Sequence, residues 1–208
     1  MVRMPTISNP IMRNSTAAAV VVAVALGACA LETELLNSDR IAERFGSYGI
    51  ELLEQDEKVR RSNLYSIENG ERVCRTYAVV QFIEPRPAEV TDAHDRVLAG
   101  ESLGATFRAS GWTIAKETQH IGSLQLDDIG HPIAELMRLT GQATLGIHAY
   151  RLVLRKGPQF VPYATIIETH HPDYLDERDL HRLYGRDSSR AADAATLAAL
   201  TELVLQTN

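Results

Sequence analysis

Cysteine is nearly missing from this chain, with two in 208 residues. So few thiols exclude a disulfide-stapled scaffold, and the fold has to rest on an ordinary hydrophobic core. Aromatic residues are sparse at 6%, but 45% of the chain is apolar, which is enough for such a core. Thirteen Gly and eight Pro are too few for a fibrous or disordered chain. No run of six like charges occurs and the net charge is -6, so the clustered Lys and Arg of a nucleic-acid surface are lacking. Nor does any apolar run reach the roughly 20 residues a helix needs to cross a bilayer. What is left is a mildly acidic globular chain, long enough for one domain and for two only if both are small.

The longest apolar run is ten residues, Ala17 to Leu26. Met12-Arg13-Asn14 stands before it as a basic start, and Leu26-Gly27-Ala28-Cys29 follows. A basic start, a short apolar stretch and small residues before a cut site make a secretory signal. Leu-Gly-Ala-Cys resembles a bacterial lipobox, which implies that Cys29 is diacylated and becomes the new N-terminus. Two acyl chains suffice for stable anchoring. Removing residues 1–28 deletes Arg3 and Arg13 and no acid, which takes the net charge from -6 to -8. With Cys29 lipidated, Cys74 has no disulfide partner. Ala30, rather than Asp, follows the Cys, which points to the outer membrane and a periplasm-facing domain on a linker over 29–37.

The remaining chain alternates strands and short helices. Ser38 is expected to cap a helix over 39–45 closed by Gly46. Strands are expected over 48–54, 59–68 and 71–83, the last two joined by Asn69-Gly70, a strong hairpin signal. Helices follow over 91–99 and 103–110, then an extended stretch over 112–124 with Trp112, Ile114 and Lys116 on one face. A helix over 132–139, strands over 145–154 and 160–169, and helices over 176–184 and 189–205 complete the chain. Six mostly antiparallel strands with interspersed helices read as an α+β domain over 38–185, with the final helix packed on it.

Three local patterns carry candidate chemistry. Gly100-Glu101-Ser102-Leu103-Gly104 matches the G-x-S-x-G nucleophile elbow, but that elbow needs a strand before it, and here a helix precedes. Ser102 reads instead as the cap of the helix that starts at Leu103. Glu168, His170, His171 and Asp173 are metal-type ligands, yet a strand turns His171 away from Glu168 and His170, so three or four ligands do not converge. They read as solvated histidines, with no metal. Arg75, on a central strand beside Tyr77 and Val79, is either at a sheet end in water or in a pocket, where its fork would suit a carboxylate.

Taken in order, these pieces resemble the chorismate lyase family. Ser38 to Phe45 with Gly49 resembles its opening helix and strand. Arg61-Ser62-Asn63-Leu64, Gly70-Glu71 and Arg75-Thr76 resemble its strand–hairpin–strand segment. Ser102-Leu103-Gly104 resembles its Pro-Leu-Gly, and Tyr150-Arg151, Gly157-Pro158 and Thr165 to Glu168 resemble its closing hairpin. The resemblance runs over about residues 38–174. It implies a six-stranded antiparallel sheet whose helices cover a ligand cavity, and the removal of pyruvate from chorismate without cofactor or metal. It also implies that Arg75 clamps a ring carboxylate, that the Leu103 backbone assists, and that Glu168 faces the far end of the ring. Arg75 and Glu168 would be the catalytic pair of a lyase.

Three readings follow: an exported lipoprotein whose cavity binds a small aromatic or carboxylate ligand, a chorismate pyruvate-lyase-type enzyme, or a structural lipoprotein of the envelope. All three share the anchor. Cys29→Ser is expected to abolish lipid attachment and move the protein from the membrane to the soluble fraction, as read by metabolic labelling with palmitate and by fractionation. Unchanged labelling and fractionation of Cys29→Ser would remove the lipobox.

Overall fold

A computed structural model of the protein describes residues 35–127 and 130–185. The apolar run 17–26, Cys29 and the helix expected over 189–205 lie outside the described residues. Asn69 (φ 52°) and Gly70 (φ 84°) both take the left-handed backbone region, as a two-residue hairpin turn requires if its twist is to match the flanking strands. They fold β2 (Val59–Glu68) onto β3 (Glu71–Phe82). Next to β2 lies β1 (Gly49–Gln55), and Asp56 holds the turn between them by accepting from the N–H groups of Lys58 and Val59, both at 2.7 Å. A second meander joins β4 (Thr113–Leu126), β5 (Ala143–Lys156) and β6 (Gln159–His170), the last two across Gly157-Pro158. Pairing of β6 with β3 fuses the two meanders into one antiparallel sheet of order β1-β2-β3-β6-β5-β4. The expected α+β class with one six-stranded antiparallel sheet and covering helices is therefore the observed one.

Strand alternation gives the sheet two faces with different covers. Val80, Phe82, Tyr150, Leu152 and Ile166 pack with Val97 of α2 (Thr91–Leu98) and Phe107 of α3 (Leu103–Ala109). On the same face, Leu64 and Ala78 meet Ile41 of α1 (Asn37–Phe45) and Leu180 of α5 (Glu177–Tyr184). The opposite face, with Tyr77, Val79, Ala149 and Ile167, takes Ile133 and Ala134 of the short α4 (Pro132–Leu136) and the neighbouring Met137. Among the described residues no helix is long and apolar enough to cross a membrane.

Helix boundaries follow local chemistry. Asn37 and Ile41 are buried one turn apart and set the inner stripe of α1; Gly46, at φ 72°, closes the helix by donating to Ala42 O. The expectation that Ser38 caps this helix is corrected: Leu36 stands at the cap, and Ser38 lies within the first turn. The reason is Asn37, which belongs to the domain rather than to a linker because its amide is bound inside it. The helix expected to run to 139 ends at Leu136, since Arg138 turns to φ 54° and Leu139 N–H bonds back to Ala134 O. At α5, Asp176 and Asp179 form a reciprocal capping box.

One glycine marks a close crossing of chain over sheet. A Cβ on Gly146 of β5 would stand against the backbone carbonyl of Leu175, which cannot swing aside as a side chain could. Gly146→Ala is expected to destabilise the fold by about 1–3 kcal/mol, the usual cost of overpacking, as measured by urea denaturation. A variant as stable as the parent would show that the 171–176 segment does not lie tightly on β5.

Candidate functional site

Cross-strand register places the polar residues of the inner face. Arg60, Val80, Ile166 and Tyr150 occupy one row across β2, β3, β6 and β5, and Ser62, Ala78, Glu168 and His148 occupy the next. Lys116 stands opposite Leu152 on the outermost strand, β4. The covering helices leave a cavity of about 90 Å³ above these rows. A single buried water needs about 10–15 Å³, so there is room for a group of several heavy atoms. Aliphatic side chains such as Ile50, Leu64, Val80, Ile114 and Ile166 form most of the wall, and Leu36, Ser102, Leu103 and Gly104 close it from the helix side. Gly104 packs closely there: a Cβ would come within 2.8 Å of the end of the Leu36 side chain, which would have to shift.

At one end lies Arg60, which is only 1% exposed. Its Nη1 donates to Val97 O and Glu101 O, both at 2.9 Å, which ties the guanidinium to the end of α2. Nη2 is buried and has no hydrogen-bond partner among the described residues, and none of their carboxylates pairs with Arg60. The nearby Glu101 carboxylate is held instead by Arg96 at 2.6 Å and by Thr106 at 3.0 Å. Burial pulls the Arg60 pKa down, but a guanidinium stays charged at any relevant pH. Among the described residues, Arg60 is thus a desolvated cation without a counterion.

The other end holds Glu168. Its Oε1 accepts from Asn37 Nδ2 at 3.3 Å, and its Oε2 lies 3.4 Å from Lys116 Nζ. Tyr150 also donates to it. Burial disfavours the carboxylate charge, but Lys116 first, then His170 and the donated hydrogen bonds, outweigh burial and hold its pKa below the usual range. Behind it the network continues: Tyr174 donates to Asn37 Oδ1 at 2.5 Å, Asn37 donates to Thr76 Oγ1 at 3.0 Å, and Thr76 Oγ1 lies 2.9 Å from His170 Nδ1. Burial drives the His170 pKa down to about 4 and the His148 pKa to about 2, so both rings are neutral at pH 7.

Of the three expected ligand-binding positions, the structure brings Glu168 and Leu103 to the cavity. Arg75 is not there. The strand register skips Arg75, because Leu64 faces Thr76 and Tyr65 faces Cys74. This bulge overturns the simple alternation that set Arg75 beside Tyr77 and Val79. Its guanidinium is buried, but Nε donates to Ser66 Oγ at 2.8 Å, Nη2 pairs with Glu68, and Phe45 lies 3.9 Å away from ring centroid to guanidinium carbon. A cation so engaged offers little to a ligand. The guanidinium at the cavity is that of Arg60, which sequence reasoning passed over. One signal pointed to it: Arg60 and Arg61 are adjacent on a strand, so one of them must face each side of the sheet.

The remaining candidates separate cleanly. Ser102 precedes α3, but its side chain makes no cap bond and is hydrogen-bonded to Tyr48. No histidine lies among the described residues lining the cavity with Ser102. The histidines expected in solvent are buried, with His170 1% and His171 7% exposed. They sit where the central strand β6 ends under cover, and His171 Nε2 lies 3.1 Å from Met137 O. A larger hollow of about 750 Å³ opens on the opposite face between β1–β3 and α4. Its arginines are already paired, Arg61 with Glu54, Arg72 with Glu51 and Arg138 with Glu71.

The buried imidazole of His170 makes a pH dependence that can be measured. An unfolded histidine takes up a proton near pH 6.5 and the buried one only at about 4, so between these values the unfolded chain binds more protons. Stability is fully present above pH 6.5 and is lost on acidification, with a slope of at most about 1.4 kcal/mol per pH unit for this ring. His170→Gln is expected to flatten the stability profile between pH 6.5 and 4; a profile as steep as the parent's would contradict the buried neutral ring.

Comparison of the chain with profiles of known protein families, with curated proteins and with solved structures finds no match, so the functional reading rests on the geometry of this cavity.

Proposed function

We propose that this protein is an exported, lipid-anchored binding protein whose cavity takes a small monoanionic ligand, an aromatic or other carboxylic acid, with the carboxylate on Arg60. The observation that carries this reading is Arg60, which lines a cavity with mostly aliphatic walls and whose buried Nη2 has no hydrogen-bond partner among the described residues. Leaving such a charge uncompensated is costly, and an anion relieves it. The charges agree. Arg60 and Lys116 contribute two positive charges and Glu168 one negative, which leaves one positive charge for the ligand to neutralise. Glu168, already supplied with donors, orients a hydroxyl or similar polar group at the far end. The sequence supplies the rest of the reading: the short apolar run over 17–26 and the Cys29 motif support a domain held at the envelope, facing the periplasm.

Binding of benzoate, 4-hydroxybenzoate and chorismate, followed by calorimetry and by the shift in melting temperature, tests the reading. Arg60→Gln is expected to lose about 1.5–3 kcal/mol of carboxylate binding, the usual worth of a hydrogen bond to a charged group. Arg60→Lys keeps the charge but not the fork and should also bind more weakly. Arg75→Gln should bind as the parent does. Equal affinity in the parent and Arg60→Gln, or no carboxylate binding at all, would overturn the assignment. Pyruvate release from chorismate would add turnover and make the protein a lyase.

A further inference from the structure

The chain contains eighteen arginines and three lysines. Lys58 and Lys156 are exposed. The third, Lys116, has a side chain only 5% exposed and lines the cavity. The other buried cations among the described residues, Arg60 in the same cavity and Arg61 and Arg75 outside it, are all guanidinium groups. A guanidinium makes a better fixed partner for a carboxylate, but an ammonium can give up its proton and become a nucleophile. The one place where this chain buries a lysine is thus the place where it encloses a ligand-sized space.

We propose that Lys116 forms a protonated imine with a carbonyl group of the ligand, so that the cavity takes a carboxylic acid bearing an aldehyde or ketone at its far end. The inference rests on the reading of Arg60 as the carboxylate anchor. Lys116 Nζ lies 3.4 Å from Glu168 Oε2, 4.5 Å from the Tyr150 ring centroid and 5.0 Å from that of Tyr184. Glu168 accepts one ammonium proton, the freed amine lone pair of Nζ adds to the carbonyl carbon, and a second N–H proton passes to the carbonyl oxygen, which becomes the hydroxyl of a neutral carbinolamine. Glu168 then returns the proton to that hydroxyl, which leaves as water while the nitrogen lone pair forms the C=N bond. In sum, ammonium plus carbonyl gives iminium plus water. The positive charge is conserved, so the ion pair with Glu168 persists in the adduct.

The sheet also sets the ligand's length. Arg60 on β2 and Lys116 on β4 are separated by β3, β6 and β5, four strand spacings or about 19 Å at the backbone. Lys116 reaches inward as far as Glu168, and Arg60 lines the cavity from β2, so a ligand held by both carries its carboxylate and carbonyl at opposite ends. A 2-oxo acid, with the two groups adjacent, cannot reach both. A ring carrying them at opposite positions, as in 4-formylbenzoate, can.

The test is reductive trapping. The full chain is incubated with 4-formylbenzoate and cyanoborohydride, and the product is read by intact mass and peptide mapping. One reduced ligand per chain, on Lys116, is expected, with Lys58 and Lys156 as internal controls and with benzoate suppressing the adduct. Pyruvate should give none. Lys116→Arg should lose the adduct, and Arg60→Gln should slow adduct formation about tenfold or more. If Lys116→Arg does not fold, benzoate competition on the parent protein decides alone. Benzoate and 4-formylbenzoate binding without a Lys116 adduct, or with equal modification of all three lysines, would overturn the imine and leave the Arg60 reading standing. Absence of binding by either acid would overturn both.

Discussion

A guanidinium taken out of water has to be satisfied by something, and at Arg60 the protein satisfies only half of it. The carbonyls of Val97 in α2 and of Glu101 just beyond it engage Nη1, while Nη2 stays unpartnered among the described residues. The effective penalty for desolvating an ion is several kcal/mol, and two neutral carbonyl acceptors offset part of it. Glu101 gives Arg60 its backbone carbonyl, but its carboxylate is committed to Arg96 and Thr106. Much of the helix layer is arranged around this charge. The end of α2 and Glu101 just beyond it supply the carbonyls, and the start of α3 closes the cavity. Tyr48 binds Ser102 at that rim.

The far end is built on the opposite plan. There the charge is internal and fully answered: Glu168 on the central strand receives Lys116 from the sheet edge, Tyr150 from the neighbouring strand and Asn37 from α1. Asn37 is in turn fixed by Tyr174 and Thr76. Four separate stretches of chain converge on one carboxylate. Such a network specifies a single arrangement, because each member left unsatisfied in a buried site is expensive. One end is rigid and neutralised, the other carries an open positive charge, and the aliphatic wall between them has no polar demand. In the proposed function this polarity orients the ligand.

The fold was largely legible because its turns are local. Asn69-Gly70 and Gly157-Pro158 carry their geometry in two residues, and the glycines that end α1, α2 and α3 do likewise. The site was legible only in part. Glu168 and Leu103 could be placed from pattern and resemblance, but Arg75 could not, since a one-residue bulge opposite Leu64 and Tyr65 is invisible in alternation and redirects every side chain beyond it. Burial of His170 and His171 was missed for a related reason. Polar residues at the end of a strand look solvated until the topology makes that strand central, and β6 becomes central only by pairing with β3, with Thr76 and His170 94 positions apart. Lys116 could be seen on the inner face, but its partner Glu168 is more than fifty residues away and two strands over.

The account turns on where a carboxylate sits. The most direct measurement is a crystal structure of the protein with benzoate, with the distance from the carboxylate oxygens to the Arg60 side chain as readout. The expected result is a carboxylate oxygen within hydrogen-bonding range of Nη2, about 2.7–3.2 Å, with the ring between Val80 and Ile166 and its far edge toward Glu168. A carboxylate bound instead at Arg75 or in the hollow on the opposite face, with Arg60 Nη2 still unpartnered, would contradict it.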